Sequence, residues 1–175
     1  VTGASQGIGQ VIAQVMAREG ARTVLAARSE SNLEETAKLI ADEGGISHMI
    51  PTDITDEASV EKLIKETISH FGGVDILINN AGLGGTAEVH EMTDAQWSKV
   101  LDVTLTGTFR VTRAALTHMY ETGAGVIVNN ASVLGWRAQI GQAHYAAAKA
   151  GVMALTRCSA IEAAPRGGRI NAVAP

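Results

Sequence analysis

The chain alternates short apolar segments with longer segments of helical periodicity, and this alternation constrains its fold more than any other feature. Segments typical of buried strands lie at 22–27, 46–50, 74–79, 125–131 and 169–173. Segments of helical periodicity lie at 30–44, 56–72, 94–120 and 143–164, the third with a weak point expected at Gly107. The pattern predicts βαβ units with right-handed crossovers. We therefore expect an α/β fold, a doubly wound parallel sheet of the Rossmann type flanked by helices on both faces, in a three-layer sandwich.

The length of 175 residues suits one domain with its own core. We expect residues 1–175 to form a single domain. Both ends are abrupt, because Val1 and Thr2 read as the last residues of a first strand and the closing segment NAVAP stops where a strand should continue into a loop. We therefore expect the domain to be incomplete at its N- and C-terminus, as the interior part of a longer protein.

Charge and composition argue against several kinds of partner. The net charge is −4 and no stretch is strongly basic, so we expect no nucleic acid as partner. No apolar run approaches the length of about 18 residues that suggests a membrane span. The five histidines show no metal-ligand spacing, so we expect no metal. The single cysteine, Cys158, cannot form an internal disulfide, which favours a reducing, cytoplasmic location, and we expect it in the core.

The first nine residues, VTGASQGIG, place Gly3, Gly7 and Gly9 between the end of a strand and the start of a helix. Glycine lets the backbone turn tightly and approach a phosphate closely. A helix that begins near Gly7 offers free N–H groups and the positive end of its dipole. The spacing G-x-x-x-G-x-G predicts a site for the phosphates of a dinucleotide. The alternative is a purely structural turn.

The end of the next strand bears on the choice of cofactor. An acidic residue about 20 positions beyond such a glycine loop holds the adenine ribose of NAD. Here Ala27 and Arg28 occupy that place, and no acid appears before Glu30. A guanidinium suits a 2′-phosphate, so we expect NADP as the cofactor, with NAD as the alternative. Arg28 could also be only a solvated residue at the end of a strand.

Four motifs occur in an order that resembles the short-chain dehydrogenase/reductase family. They are TGASQGIG at 2–9, NNAG at 79–82, Ser132, and YAAAK at 145–149. The resemblance covers essentially the whole chain and is greatest to the non-extended subgroup and to 3-oxoacyl-thioester reductases. It implies an oxidoreductase that uses NAD or NADP. With NADP expected from Ala27 and Arg28, we expect hydride transfer between NADP(H) and a ketone or secondary alcohol, a 3-oxoacyl thioester among the substrates. The resemblance also implies a homodimer or homotetramer.

The resemblance assigns roles to individual residues. Tyr145 is implied as the catalytic acid/base, Lys149 as its partner and Ser132 as the group that binds the substrate carbonyl. The implied cofactor-binding residues, taken with the glycine loop and the strand end, are Gly3, Ser5, Gln6, Gly7, Ile8, Gly9, Arg28, Asp53, Ile54, Asn80, Ala81, Gly82, Tyr145 and Lys149. Among these, Asp53 is implied at the adenine amino group.

The spacing of Tyr145 and Lys149 has a chemical reason. A free tyrosine has a pKa near 10, which is poorly suited to acid/base work at neutral pH. An ammonium one helical turn away, on the same face of the helix, favours the phenolate and lowers that pKa. Ser132 follows a buried strand at the carboxyl edge of the sheet, where ligands bind in such folds.

The chain departs from the family pattern at Thr104. The family usually has Asn in the middle of the long helix, where it bends the helix and holds a water in a proton relay to the lysine, whereas this chain reads DVTLTG. A threonine hydroxyl can bond a carbonyl and could still hold water. The active-site strand also ends NNAS, where the family often has Ser before the catalytic Ser.

Alternative functions remain open at this stage. One is an NAD(H)-dependent alcohol or hydroxysteroid-type dehydrogenase, and another is a nucleotide-binding module whose catalysis is impaired. A Rossmann-type methyltransferase explains the glycine loop but neither Tyr145 nor Lys149. Near the site, we expect His144 on the surface at the start of a helix. We expect Trp136 and Arg137 in a loop, where they either line the substrate mouth or only pack against it.

Overall fold

The computed structural model describes residues 1–175 as an α/β domain with five strands and six α-helices. The strands are β1 (Arg22–Ala27), β2 (Ile46–Pro51), β3 (Ile76–Asn79), β4 (Gly125–Asn130) and β5 (Gly168–Val173). The helices are α1 (Gly7–Arg18), α2 (Glu30–Asp42), α3 (Glu57–Phe71), α4 (Asp94–Leu101), α5 (Gly107–Thr122) and α6 (Ala143–Ala163).

All strand pairs are parallel, β1 with β2, and β4 between β3 and β5. Residues 1–4 lie between the two groups of strands and bond to both. The Ala26 N–H donates to the Val1 carbonyl over 3.0 Å, and the Thr2 N–H donates to the Ile78 carbonyl over 3.0 Å. The order across the sheet is therefore β2, β1, residues 1–4, β3, β4, β5, and the predicted doubly wound sheet is confirmed.

Two apolar clusters cover the two faces of this sheet. One joins α1 and α2 to β1 through Ala13, Leu33 and Leu25. The larger one joins α3 and α5 to the strands β3 to β5, with Val111 and Ile127 fully buried. The predicted three layers are therefore present. None of the six helices combines the length and the apolarity that crossing a bilayer requires.

The long helix predicted over 94–120 differs from the expectation. It runs from Asp94 to Thr122 and is interrupted by a π-helical turn over Asp102–Thr106, ahead of Gly107. Thr104 in that turn is fully buried, and its carbonyl accepts from the Thr108 hydroxyl over 2.9 Å. Gly107 serves close packing, since a Cβ there would lie 2.6 Å from Ile54 Cδ1. The irregularity therefore lies at Thr104, and single-turn π segments are frequent at functional sites.

The prediction that Cys158 lies in the core is wrong. Its thiol is exposed, because the buried stripe of α6 passes through Val152, Thr156 and Ser159 and leaves Cys158 on the outer face. Helix α6 is rich in small apolar residues on all sides, so periodicity gave little indication of which face is buried.

Candidate active site

A cleft of about 570 Å³ opens at the carboxyl edge of the sheet. It is lined by all of the sequence-predicted site residues except Gly7 and Ser132. A second cavity, of about 360 Å³, lies elsewhere and is lined by residues of β1, α3 and β3, none of them predicted at the site. The fold therefore brings three of the four separated motifs to one cleft, TGASQGIG, NNAG and YAAAK, at the edge where ligands bind in parallel α/β sheets.

The glycine loop forms one wall of the cleft. Gly3 has a φ of +66°, in the left-handed region that favours glycine. A Cβ at Gly9 would lie 2.1 Å from the Gly3 carbonyl oxygen, so only glycine allows this turn. Helix α1 begins at Gly7, and no side chain caps its first N–H groups. The loop thus offers backbone donors at a helix start to a bound anion.

The far end of the cleft carries one charge of each sign, on Arg28 and Asp53. Arg28 is exposed at the end of β1, lines the cleft, and has no carboxylate within 4.0 Å. Asp53 lies across from it, and its Oδ1 accepts from the Thr55 N–H over 2.9 Å and from the Thr55 hydroxyl over 2.7 Å. These bonds from Thr55, backbone first, lower the pKa of Asp53, with help from the charges of Arg28 and Arg110. Asp53 is therefore ionised at neutral pH.

Helix α6 presents Tyr145 and Lys149 to the other end of the cleft. Lys149 is 4% exposed, and its Nζ donates to the Asn130 carbonyl over 2.5 Å. The same Nζ lies 5.6 Å from the centroid of the Tyr145 ring. Burial lowers the pKa of Lys149 to about 8, because desolvation disfavours the ammonium. The predicted pairing of a tyrosine with a lysine is thus present as a geometric arrangement.

Ser132 lies just beyond the end of β4 and is nearly buried. Its Oγ accepts from the Leu134 N–H over 3.3 Å, which caps a short 3₁₀ turn over Val133–Gly135. The serine hydroxyl donates to no protein acceptor, because that contact is the one hydrogen bond of its side chain. Its proton is therefore available for a hydrogen bond to a ligand oxygen.

His144 is predicted on the surface, but the structure leaves it only 2% exposed. Its Nδ1 accepts from the Tyr145 N–H over 2.9 Å. A Cβ at Gly85 would lie 3.0 Å from His144 Nε2, so the loop around Gly85 covers the imidazole. The burial comes from a segment about 60 residues earlier in the chain, which local sequence could not reveal.

Thr104 fixes the segment that follows NNAG. Its hydroxyl donates to the Leu83 carbonyl and accepts from the Leu83 N–H, both over 3.0 Å. Two residues beyond Leu83, the Gly85 carbonyl accepts from Gln142 Nε2 over 2.7 Å. The threonine at the family's asparagine position therefore holds the rim of the cleft through its side chain.

The cleft also contains residues that the sequence did not single out. They are Ala26, Ser29, Asn32, Thr52, Val103 and Asn130. Asn130 has the most polar contacts with the predicted site, since it bonds both Lys149 and Asn80. The second occurrence of NNA, at 129–131 after that at 79–81, is the signal that could have identified it.

Comparisons with known proteins identify relatives of this chain. The family model for short chain dehydrogenase matches residues 1–175. The chain is 54% identical, over 98% of its length and 66% of the relative's, to the (5R,7aS)-5-hydroxy-7a-methyl-1-oxo-2,3,5,6,7,7a-hexahydro-1H-indene-carboxyl-CoA reductase of Mycobacterium tuberculosis. It is 41% identical, over its whole length and 70% of the relative's, to the 3-oxoacyl-[acyl-carrier-protein] reductase FabG of Vibrio cholerae.

A solved structure is also similar to this chain in fold and in sequence. A short chain dehydrogenase from Mycobacterium smegmatis aligns with a TM-score of 0.97 and 53% identity, over the whole of this chain and 74% of that one. The chain thus spans roughly two thirds to three quarters of the length of these relatives. Sequence, fold and motif order all agree, and the chain belongs to the short-chain dehydrogenase/reductase family.

Proposed function

We propose that this protein is an NADP(H)-dependent oxidoreductase that interconverts a ketone and a secondary alcohol. The observation that carries the proposal is the buried Lys149 ammonium beside the Tyr145 ring, at one end of a cleft whose other end holds an unpaired arginine. A buried cation beside a tyrosine suits proton transfer, because it can stabilise the phenolate. The family uses a nicotinamide dinucleotide, and Arg28 and Lys149 line the same cleft.

The residues of the cleft fit such a cofactor. Gly3 and Gly9 bring the backbone close to the place of a pyrophosphate, and the uncapped start of α1 suits its charge. The unpaired Arg28 suits a 2′-phosphate, and no carboxylate occupies position 27. Lys149 would hold the ribose next to the nicotinamide. When bound, the nicotinamide supplies a hydride for reduction or accepts one in oxidation.

Three side chains then perform the chemistry that the protein itself contributes. Ser132 donates its free hydroxyl proton in a hydrogen bond to the substrate oxygen and holds the carbonyl in place. Tyr145 gives its proton to the alkoxide that forms during reduction, or takes the alcohol proton during oxidation. Lys149, charged at pH 7 with a pKa of about 8, stabilises the phenolate that Tyr145 becomes.

The names of the relatives suggest the substrate class. One acts on a bicyclic carboxyl-CoA, another on a 3-oxoacyl group on acyl carrier protein, and a third, 41% identical, is a cis-4-hydroxycyclohexanecarboxylate dehydrogenase. In this chain, Trp136 and Ile140 are exposed in the loop between Ser132 and Tyr145, with Arg137 between them. We propose a ketone with an apolar ring or chain and a carboxyl or thioester group.

The test is turnover of the full-length protein followed by absorbance of the reduced nicotinamide. The panel contains 3-oxoacyl thioesters, alicyclic oxo-carboxylates and their thioesters, and simple ketones, each with NADPH and NADH. We expect turnover with NADPH and with at least one carboxyl or thioester ketone. Cofactor binding without any turnover would instead favour the nucleotide-binding module. Absence of binding would overturn the proposal itself.

The cofactor preference can be reversed at one residue. Ala27→Asp places a carboxylate at the end of β1 beside Arg28, where it repels a 2′-phosphate and accepts from a ribose hydroxyl. We expect the ratio of kcat/KM for NADPH to that for NADH to fall by roughly 10²-fold. The matched control is Ala21→Asp, at the opposite end of β1. A preference for NADH in the unmodified protein would contradict the NADP proposal.

The assembly is a separate proposal. Helices α5 and α6 leave large apolar side chains exposed, among them Phe109 at 42% and Ile161 at 76%. Burying such residues between copies of the chain would gain about 25 cal/mol per Å² of apolar surface. We propose a homodimer or homotetramer and expect light scattering at micromolar concentration to show it, with a monomer as the contradicting result.

The location is a further proposal. The exposed thiol of Cys158 suits a reducing compartment, and we propose a cytoplasmic location.

A further inference from the structure

The motif NNA ends two neighbouring strands, and the register of the sheet places its two copies side by side. Asn79 of β3 pairs with Asn129 of β4, so Asn80 and Asn130 lie opposite one another just beyond the paired residues. Asn130 Nδ2 donates to Asn80 Oδ1 over 3.0 Å. One side-chain bond thus joins the ends of two strands at the floor of the cleft, which both residues line.

The direction of this bond is dictated by the glycine loop. Asn80 Nδ2 lies 3.2 Å from the Thr2 carbonyl oxygen and 3.5 Å from that of Gly3, and both oxygens only accept. Asn80 must therefore present its amide nitrogen to the loop and its Oδ1 to Asn130. Asn130 in turn must donate, which leaves its own Oδ1 buried without a partner.

The amide of Asn80 is also packed into the loop. A Cβ at Gly9 would lie 2.5 Å from Asn80 Nδ2, and one at Gly3 would lie 3.0 Å from it. Any rotation of that amide would therefore disturb the two glycines that shape the phosphate wall. Asn130 is the one side chain that holds the Asn80 oxygen.

The backbone of Asn130 is bonded to the catalytic half of the site, since its carbonyl accepts from Lys149 Nζ. We infer that Asn130 is a positioning residue that couples the cofactor-binding glycine loop, through Asn80, to the strand end that holds Lys149. The inference rests on the proposed function, because it takes the cleft to bind NADP(H). It gives the second of the two asparagines in NNAS a role in cofactor affinity.

Two substitutions separate hydrogen bonding from shape. Asn130→Leu has a similar volume and no donor, so the Asn80 amide loses its partner. Asn130→Asp keeps the shape, but an ionised carboxylate would place an acceptor against Asn80 Oδ1. We expect the Kd for NADPH, measured by fluorescence titration of the full-length protein, to rise about tenfold in the leucine variant and further in the aspartate variant. A role in shape alone would leave the aspartate variant nearer to the unmodified protein.

Substitution of Asn130 should raise the KM for NADPH and leave kcat almost unchanged. Ser132, Tyr145, Lys149 and the Asn130 carbonyl all remain, so kcat at saturating NADPH should stay within about threefold while the KM for NADPH rises with the Kd. The melting temperature of Asn130→Leu should change little, because the substitution removes a buried unpaired oxygen as well as a hydrogen bond.

Thr112→Val is the matched structural control. Thr112 is buried and accepts from Asn79 Nδ2 over 2.9 Å, in a neighbouring network that does not line the cleft. The Thr112→Val substitution should lower the melting temperature and keep the Kd for NADPH within about twofold of the unmodified protein. Unchanged affinity in Asn130→Leu, or equal weakening in Thr112→Val, would overturn the inference. If the unmodified protein bound neither NADPH nor NADH, the proposed function would fail before any variant was compared.

Discussion

Replacing Tyr145 with Phe should lower kcat by roughly 10²- to 10⁴-fold, the scale of lost general acid–base catalysis. The substitution removes one oxygen and keeps the ring that Lys149 Nζ faces at 5.6 Å. In the proposed mechanism no other group replaces the hydroxyl proton, because Ser132 would bind the substrate oxygen and Lys149 donates to the Asn130 carbonyl. Cofactor binding should persist, since the glycine loop and Arg28 are untouched.

The chain contains a matched control for this substitution in Tyr120, its other tyrosine. Tyr120 lies on α5, away from the cleft, with the Arg166 guanidinium 4.5 Å from its ring centroid. Tyr120→Phe should leave kcat within about twofold. The measurement is single-turnover and steady-state kinetics at saturating NADPH, with the NADPH Kd determined in parallel. Near-normal turnover in Tyr145→Phe would assign the proton donor to another group.

Much of the fold followed from local pattern, because strand and helix periodicities are properties of short segments. The strands and the helices appeared within a few residues of their predicted bounds. The break in the long helix was misplaced for a physical reason. A π turn adds one residue to a helical turn and shifts the apolar stripe by one position, and the sequence of 102–106 contains no Gly or Pro that would mark such a turn.

The site residues that were missed depend on contacts between distant segments. His144 is buried because the loop near Gly85 lies over it, a contact that no helical periodicity encodes. Asn130 bonds Asn80 because β3 and β4 pair in one register, and a shift of one residue would point it to the other face. Motifs with fixed spacing, such as the glycine loop and YAAAK, could be recognised from the sequence because the residues of each motif lie within a few positions of one another.

The second large effect concerns Lys149, whose pKa of about 8 predicts a distinct dependence of stability on pH. In the unfolded chain this lysine returns to its ordinary pKa of 10.5. Below pH 8 both states carry the proton, and the cost of burying the ammonium is present in full. Between pH 8 and 10.5 the folded state has released a proton that the unfolded state still binds, so this group makes the protein more stable as pH rises.

Lys149→Met removes this titration and keeps the length of the side chain. The free energy of unfolding of the unmodified protein, relative to the variant, should therefore rise by up to about 3 kcal/mol across that window, at 1.36 kcal/mol per pKa unit. Urea unfolding at a series of pH values from 7 to 9.5 measures the accessible part of the rise, and Lys38→Met on the exposed face of α2 is the control. Parallel pH profiles for the unmodified protein and Lys149→Met would contradict a pKa lowered by burial.

The same variant tests the chemical role. Without the ammonium, the Tyr145 phenolate that forms during proton transfer loses its nearest positive charge, so kcat should fall by roughly 10²-fold or more at pH 7. NADPH should also bind more weakly, since Lys149 is the proposed donor to the cofactor ribose. A variant with normal cofactor affinity and turnover would show that the buried lysine serves only to join α6 to the end of β4.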